Sequence, residues 1–170
     1  MEAVVDELLD SADEHQEDNI CQFLTFMMAG EEYGVDILAV QEIRGWEEIT
    51  QIPNSPTYVK GAINLRGTIV PIIDLRARFG IPQIPYSSVT VVIVVKVGLH
   101  SGDKIMGIVV DAVSDVYSIS ESDARDVPDV TSTDNTEFVQ GLVNVGEKMV
   151  VLLDLKRVLN LSKDVNQTDL

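Results

Sequence analysis

The chain has 170 residues and a formal net charge of −16, which argues against nucleic acid or an anionic membrane surface as its partner. Its single cysteine, Cys21, excludes an internal disulfide framework and a multi-cysteine metal site. Valine and isoleucine dominate the apolar residues, and aromatic residues make up only 5%. Because β-branched side chains fit pleated sheet better than helix, the composition favours a β protein.

The N-terminal residues 1–19 form an acidic leader that contains eight acids and no lysine or arginine. We interpret it as a disordered, solvated segment, with a specific binding role as the alternative. It lacks the basic and then apolar order of a secretory signal. The longest apolar stretch, Val89–Val97, is too short to span a bilayer. We therefore expect a cytoplasmic protein without direct membrane insertion.

Short strands and turns fill the first half of the chain after this leader. The predicted strands are Cys21–Met28, Tyr33–Val40, Gly61–Asn64 and Ile69–Ile73. Arg66-Gly67 forms the turn of a hairpin, because Gly67 can adopt the positive φ that such turns require. A short helix begins at Leu75, with Asp74 as its N-cap and Gly80 at its end.

The second half begins after a connector, Ile81–Tyr86, whose two prolines prevent a central strand. Val89–Val97 and Ile105–Val110 are the predicted strands of another hairpin. Residues 126–137 are polar and rich in turn formers, which is typical of a surface loop. Residues 161–170 show no apolar period, so we interpret them as a flexible tail.

One long segment of the chain repeats 80 residues later, and a shorter one repeats 73 residues later. Tyr58–Phe79 aligns with Phe138–Leu159 without a gap, and Gly34–Ile43 aligns with Gly107–Val116. The long segments share Val59/Val139, Gly61/Gly141, Asn64/Asn144, Val70/Val150, Asp74/Asp154 and Leu75/Leu155. Such self-similarity indicates a duplicated domain. We predict a mainly β fold with short helices, built as two small barrels with a groove between them.

The repeat also suggests how the chain is divided. The folded domain is expected to span residues 20–160, between the acidic leader and the flexible tail. One subdomain is placed approximately at residues 33–88 and the other approximately at 89–160. Exchange of the first strand and of the C-terminal segment between the subdomains is left open.

Catalytic patterns are scarce. His15 and His100 have no nucleophile or metal ligand at a useful spacing, and no phosphate-binding loop is present. One aspartate in each copy, Asp74 and Asp154, is compatible with the carboxylate dyad of a duplicated hydrolase. Each is followed by leucine and a basic residue, however, which suits a helix cap better. The sequence therefore argues against an enzyme.

The two copies differ most informatively at one turn, where Arg66-Gly67 becomes Gly146-Glu147. An arginine that the shared fold does not need can serve a binding surface, since its planar fork pairs with carboxylates. The alternative is an exposed turn arginine without a role. Glu42 is a candidate partner for Arg66, and Trp46 is interpreted as a half-buried packing residue.

The strand Val89–Val97 has an almost unbroken β-branched character. The usual meaning is a strand covered on both faces within the protein, and the alternative is a face that another protein covers. A small-ligand sensor that uses the groove as a pocket is a further hypothesis. Ligand pockets need convergent polar groups, and this groove offers mostly valine, isoleucine and glycine.

Three blocks of this sequence resemble the CheW family: EEYGVDILAVQEIRG (Glu31–Gly45), VKGAINLRGTIVPIIDLR (Val59–Arg76) and GIVVDAVSDV (Gly107–Val116). The likeness runs from about Gln22 to Asn160. It implies two SH3-like five-stranded β-barrels and no catalytic activity or cofactor. It also implies an adaptor of bacterial chemotaxis, which couples the histidine kinase CheA to methyl-accepting chemoreceptors in membrane-associated arrays.

The resemblance carries site residues with it. It implies that the tip of a chemoreceptor binds in the groove between the subdomains, at Val40, Glu42, Ile43, Gly61, Asn64, Arg66 and Gly67. It places part of the contact with the regulatory domain of CheA near Val91 and Ile93. CheV proteins and CheA contain the same domain, but their additional domains are not recognisable here, so a stand-alone CheW is expected. The acidic leader is not explained by the resemblance.

Overall fold

The computed structural model describes residues 19–99, 102–126 and 137–159. Predictions about the acidic leader, the two histidines and the C-terminal tail fall outside these residues, as do those about most of the loop at 126–137. The described strands are β1 Ile20–Met28, β2 Glu31–Asp36, β3 Val40–Gly45, β4 Val59–Leu65, β5 Thr68–Asp74, β6 Val91–Leu99, β7 Gly102–Val110, β8 Ala112–Ser120, β9 Val139–Val145 and β10 Lys148–Leu153. The helices are α1 Leu75–Arg78 and α2 Leu155–Val158. The mainly β prediction is confirmed.

The predicted strand Tyr33–Val40 was too long, because the chain turns in its middle. β2 ends at Asp36, a 3₁₀ turn covers Ile37–Ala39, and β3 begins at Val40. The Asp36 carboxylate accepts a hydrogen bond of 2.9 Å from the backbone N–H of Leu38. A short acidic side chain that caps the backbone two residues ahead favours a turn over a continuing strand.

The strands form two five-stranded, SH3-like barrels. One sheet has the order β8-β1-β2-β10-β9 and the other has the order β3-β6-β7-β5-β4. In one sheet, the segment that follows β3 is bridged to β4 by Thr50 and Ala62. In the other sheet, the segment that follows β8 is bridged to β9 by Arg125 and Leu142. The two sheets thus have the same plan, as the duplication requires.

The barrels do not follow the division predicted at residues 88 and 89. One copy of the repeat contains β1–β5 and the other contains β6–β10. Each barrel, however, combines the first hairpin of one copy with the last three strands of the other copy. The whole hairpin β1–β2 is exchanged, whereas the sequence left open an exchange of the first strand and of the C-terminal segment. The exchange works through parallel pairs of β2 with β10 and of β7 with β5.

Glycines in the repeated segment permit these parallel pairs. A Cβ atom at Gly34 in β2 would lie 3.2 Å from Leu152 Cδ2, and one at Gly107 in β7 would lie 2.5 Å from Ile72 Cδ1. Both residues occupy the same position of the repeat and lie in the exchanged hairpins. Only glycine allows so close an approach of the neighbouring side chains without displacing them.

The largest core cluster belongs to both barrels. It includes the buried Phe26 and Leu153 from one sheet, Ile73 and Ile93 from the other, and Val158 from α2. Each such side chain contributes about 1.5–3 kcal/mol through burial of apolar surface. The two barrels therefore share one interior and are not independent folding units.

Repeat-related aromatic residues close the junction of the barrels around Arg78. The Arg78 guanidinium lies 4.7 Å from the ring centroid of Tyr58 and 4.9 Å from that of Phe138, its counterpart in the repeat. Its Nε atom donates a hydrogen bond of 3.0 Å to the carbonyl of Val158. Phe79 stacks on Phe138 at a centroid distance of 5.3 Å. The hydrogen bond to Val158 thus joins α1 to α2, and the two aromatic faces pack on the same guanidinium.

The two repeated aspartates are helix caps, as predicted. The Asp74 carboxylate accepts hydrogen bonds from the N–H groups of Arg76 and Ala77, and that of Asp154 accepts one of 3.0 Å from Lys156. Asp74 is 2% exposed and also accepts a bond of 2.6 Å from the Tyr86 hydroxyl. Burial and this bond raise the pKa of the Tyr86 phenol. Each carboxylate is occupied by its own helix, which leaves no shared dyad.

A two-pronged ion pair fixes the exchanged hairpin to α1. Arg76 donates from Nε and Nη2 to the two carboxylate oxygens of Asp111, at 2.8 and 2.6 Å. Asp111 also accepts a bond of 2.9 Å from the N–H of Ala29 in the β1–β2 turn. The hydrogen bonds from Arg76 hold the pKa of Asp111 below its ordinary value, with a smaller contribution from Ala29.

We expect Asp111→Asn to lower the free energy of unfolding by about 1–3 kcal/mol at neutral pH, because it removes a charged, two-pronged acceptor. A lowered pKa in the folded state means that this stability is complete above the unfolded pKa of about 3.9 and is lost as the pH falls below it. Urea unfolding from pH 7 to pH 3 should show a smaller acid dependence in Asp111→Asn than in wild type.

Asp103→Asn is the matched control for that experiment, since Asp103 forms an exposed ion pair with Lys96 at 3.6 Å. Exposed pairs contribute little, so this variant should unfold like wild type. Equal acid dependence in wild type and Asp111→Asn would contradict the assigned role of the Arg76–Asp111 pair.

Candidate functional site

The β4–β5 turn places Arg66 at the tip of a tight hairpin. Leu65 pairs with Thr68, so the loop contains only Arg66 and Gly67, whose φ angles are 50° and 89°. Two positive φ values in a two-residue loop match a type I′ turn. The Asn64 side chain supports the turn by accepting a hydrogen bond of 2.8 Å from the N–H of Gly67.

The corresponding β9–β10 turn reverses the chain with a different turn type. Gly146 has a φ of 63°, and Glu147 is not among the described residues with positive φ, which matches a type II′ turn. Glycine thus occupies the first turn position in one copy, while arginine occupies it in the other. A non-glycine residue in the left-handed region costs about 1–2 kcal/mol. Arg66 is therefore held in a conformation that the fold alone would assign to glycine.

The structure brings Arg66 and Glu42 together, as the sequence suggested. Arg66 Nη2 lies 3.4 Å from Glu42 Oε2, and the Glu42 carboxylate also lies 3.6 Å from Arg44 Nη1. Arg44 in turn is 2.8 Å from Glu47. The Arg66 side chain is 77% exposed, against 29% for Glu42. Glu42 therefore orients a guanidinium that keeps most of its donors free for another molecule.

The remaining receptor-site candidates lie along the same barrel. Val40 is half-buried against the core shared by both barrels, and Ile43 is 46% exposed. Gly61 is buried where β4 passes the Thr50 backbone, and this close approach is a structural reason for glycine at that position. The cluster thus starts at the junction of the barrels and follows one of them, whereas the cavity between the barrels is lined by other residues. That these seven residues form the receptor site stays a prediction.

The two kinase-site candidates on β6 differ in accessibility. Ile93 is 0% exposed and belongs to the shared core, so its side chain offers no surface to a partner. Val91 is half-buried at the start of the strand. The strand is covered on both faces from Val92 to Val95, which confirms the usual meaning of its β-branched character. Ile93 therefore drops out as a direct contact.

Sequence reasoning missed the exposure of several apolar side chains, among them Leu38, Ile69 and Met149. Leu38 is 86% exposed in the 3₁₀ turn, Ile69 is 73% exposed on β5, and Met149 is 54% exposed on β10. Ile69 is paired with Asn64 across the hairpin that carries Arg66. Ile69 and Met149 occupy the same position of the repeat, 80 residues apart. The exposure of Ile69 and Met149 was predictable from their positions in the strands IVPII and MVVLL, since every second side chain of such a strand points outward.

The site offers contact surface and no chemistry. Among the described residues, no group of three or more histidine, cysteine, aspartate or glutamate side chains could hold a metal ion. Trp46 packs on Tyr86 at a centroid distance of 4.1 Å, as a half-buried packing residue. An exposed arginine beside apolar side chains is typical of a protein-binding surface.

Two fused SH3-like barrels with such a surface are typical of a scaffold that binds other proteins. The CheW-like domain family matches residues 22–163, and the chain belongs to this family. It is 48% identical to the chemotaxis protein CheW of Klebsiella aerogenes over 139 residues, covering 82% of this chain and 81% of that one. It is 36% identical over 137 residues to the CheW of Rhizobium meliloti, covering 81% and 86%.

A solved structure agrees with the fold. The crystal structure of the scaffolding protein TtCheW from Thermoanaerobacter tengcongensis superimposes with a TM-score of 0.70 at 38% identity, covering 79% of this chain and 84% of that one. The protein is thus a chemotaxis adaptor and not an enzyme, and neither the ligand sensor nor the aspartate hydrolase is supported. None of the described helices is long and apolar enough to cross a membrane.

Proposed function

We propose that this protein couples the histidine kinase CheA to methyl-accepting chemoreceptors and is recruited from the cytoplasm to membrane-associated receptor arrays. One surface binds the tip of the receptor and another binds the regulatory domain of the kinase. Receptor state then biases kinase activity through the rigid two-barrel body, without chemistry in the adaptor. Membership in the CheW-like family supports this assignment.

The observation that carries the receptor site is the conformation of Arg66. This residue occupies a positive-φ position at which the second copy has glycine, and it remains 77% exposed. Strain of this kind persists at functional sites, where binding compensates for it. Ile43 and Ile69 add exposed apolar surface on β3 and β5 of the same barrel. Together they match the arginine-and-apolar composition of interface centres.

The other candidates support this surface from within. Asn64 and Gly67 hold the turn through their 2.8 Å hydrogen bond, and Glu42 holds the guanidinium. Gly61 keeps β4 close to the Thr50 segment. We assign Val40 to the edge of the receptor surface at the barrel junction.

For the kinase, we propose a surface around the start of β6. Val91 is half-buried there, and Val89, directly before the strand, is 62% exposed. Ile93 acts beneath this surface as a packing residue. Both partners are proposed to bind at once, the receptor at the Arg66 hairpin and the kinase at this surface.

Co-purification tests the proposal. A receptor cytoplasmic fragment and the kinase regulatory domain are each expected to retain the full chain, and all three together should form a ternary complex in which kinase activity depends on the adaptor. Val89→Asp should weaken only the kinase complex. If neither partner retains the wild-type chain, the proposed function is wrong.

A further inference from the structure

One carboxylate of the exchanged hairpin is buried without a partner. Glu32 on β2 is 5% exposed, and neither of its carboxylate oxygens has a hydrogen-bond partner among the described residues. Buried carboxylates are ordinarily paired or hydrogen-bonded, because an uncompensated charge is costly to remove from water. Glu32 therefore lowers the stability of the strand that carries it.

Glu32 faces the interior of the barrel with the strand order β8-β1-β2-β10-β9. It is paired with Val150 in the parallel β2–β10 ladder, and Val150 is fully buried in the core of this barrel. Gly34, two residues further along the same face of β2, lies against Val150 and Leu152. Of the two strands beside β2, β1 contains no charged residue, and the one charged residue of β10, Lys148, is exposed. Neither strand compensates the charge.

The internal repeat shows that the fold does not require an acid at this position. Glu32 lies two residues before Gly34, and Ile105 lies two residues before Gly107, the counterpart of Gly34 in the repeat. Ile105 packs on the core of the other barrel, in a cluster that includes Val70, the counterpart of Val150. An isoleucine thus occupies the site in one barrel and an unpaired carboxylate occupies it in the other. Departures of this kind from good packing concentrate at functional positions.

The ladder that contains Glu32 is short and connects the two sequence copies. Three residue pairs join β2 to β10, and parallel pairing is slightly less stable than antiparallel pairing. β2 leads through the 3₁₀ turn Ile37–Ala39 directly into β3, which belongs to the other barrel and carries Val40, Glu42 and Ile43. A displacement of β2 from β10 would therefore reach the strand of the proposed receptor surface.

We propose that the β2–β10 ladder is a conformational switch, which opens locally because Glu32 is buried without a partner. In the open state β2 separates from β10, and the Glu32 carboxylate regains its hydration. The closed state holds β3 so that Glu42 lies 3.4 Å from the Arg66 guanidinium, and receptor binding at this surface therefore favours the closed state. The effect of the receptor rests on the proposed function of this surface, whereas the local opening does not.

Hydrogen exchange on the full-length protein, measured below the global unfolding transition, tests the local opening. Backbone amides of β2 and β10 should be protected at least about tenfold less than those of β7 and β5, the corresponding strands of the other barrel. Glu32→Ile places the residue of the other copy at this site and should remove most of that difference. Equal protection of the two ladders in wild type would overturn the proposal. So would a Glu32→Ile variant that slows both ladders equally, because a gain in global stability alone has that effect.

Glu31→Ile is the matched control, because Glu31 is the neighbouring acid on the exposed face of the same strand. It removes the same charge and adds the same β-branched side chain, but it should leave the difference between the ladders as in wild type. An equal effect of the two variants would contradict the role of the buried carboxylate. If Glu32→Ile does not fold, Glu32→Gln removes the charge at nearly the same volume and should narrow the difference in the same direction.

A receptor cytoplasmic fragment tests the coupling to the receptor surface separately. It should slow exchange in β2 and β10 of wild type more than in Glu32→Ile, whose ladder is already closed. A fragment that binds without slowing exchange in these strands would show that the switch is not coupled to this surface. A fragment that does not bind would contradict the proposed receptor function, while the comparison of the two ladders would still decide whether the switch exists.

Discussion

Replacing Arg66 by glycine is expected to weaken receptor binding by about 2 kcal/mol or more, roughly 30-fold or more in Kd, while the protein stays folded. The side chain is 77% exposed and contributes little to the interior. Glycine relieves the positive φ of 50°, and this gain offsets the greater entropy of glycine in the unfolded chain. The free energy of unfolding should therefore stay within about 1 kcal/mol of wild type. Titration calorimetry with a receptor fragment and urea unfolding measure the two quantities.

The control for this variant is Arg44→Ala, which removes the other guanidinium beside Glu42 but leaves the hairpin tip intact. It should bind receptor nearly as wild type does. Glu42→Ala should weaken binding less than Arg66→Gly, because Glu42 acts by orienting Arg66, and the two effects should not add in the double variant. Receptor affinity unchanged in Arg66→Gly would show that the proposed surface is wrong.

Substitution of Gly61 should have the largest effect on stability. A Cβ atom at this position would lie within van der Waals overlap of the Thr50 carbonyl oxygen, a rigid backbone atom, and the φ of 149° is itself unfavourable for an L-residue. The clash would break the paired hydrogen bonds of 2.8 and 3.1 Å between Thr50 and Ala62 that help close the barrel. We expect Gly61→Ala to cost about 3 kcal/mol or more in unfolding free energy.

Gly141→Ala is the matched control, because Gly141 is the repeat counterpart of Gly61 on β9. A Cβ atom there would lie 3.1 Å from the carbonyl oxygen of Arg125, so a shift of a few tenths of an ångström relieves the contact. Urea unfolding should therefore place Gly141→Ala between wild type and Gly61→Ala. The reverse order would refute the assignment of Gly61 to barrel closure. Loss of receptor binding in Gly61→Ala should accompany unfolding, not precede it.

Much of the local structure was predictable because it depends on neighbours in sequence. The caps at Asp74 and Asp154 follow from an acidic residue placed directly before a short helix. The Arg66-Gly67 hairpin follows from its turn chemistry, and the strand Val89–Val97 was correct in kind and shifted by two residues. The candidate pair of Glu42 and Arg66 came from comparing the copies, and the fold brings these residues within 3.4 Å.

Other features could not be read from local pattern. The burial of Ile93 depends on β3 and β7 lying on either side of β6, and the β-branched run is compatible with a covered or an open face. Leu38 lies in a turn that the sequence presented as the end of a strand, so its exposure was not expected. Both outcomes depend on which distant segments pack against the residue.

The sequence by itself determined the strand-rich composition, the duplication, the two helix caps and the family of this protein. Only the tertiary structure decided that the first hairpin of each copy completes the barrel of the other. The reason is physical: the two copies have the same pattern, so β2 could pair with β5 or with β10 at similar local cost. The choice is made by long-range parallel pairing, by the close contacts at Gly34 and Gly107, and by a core that both barrels share.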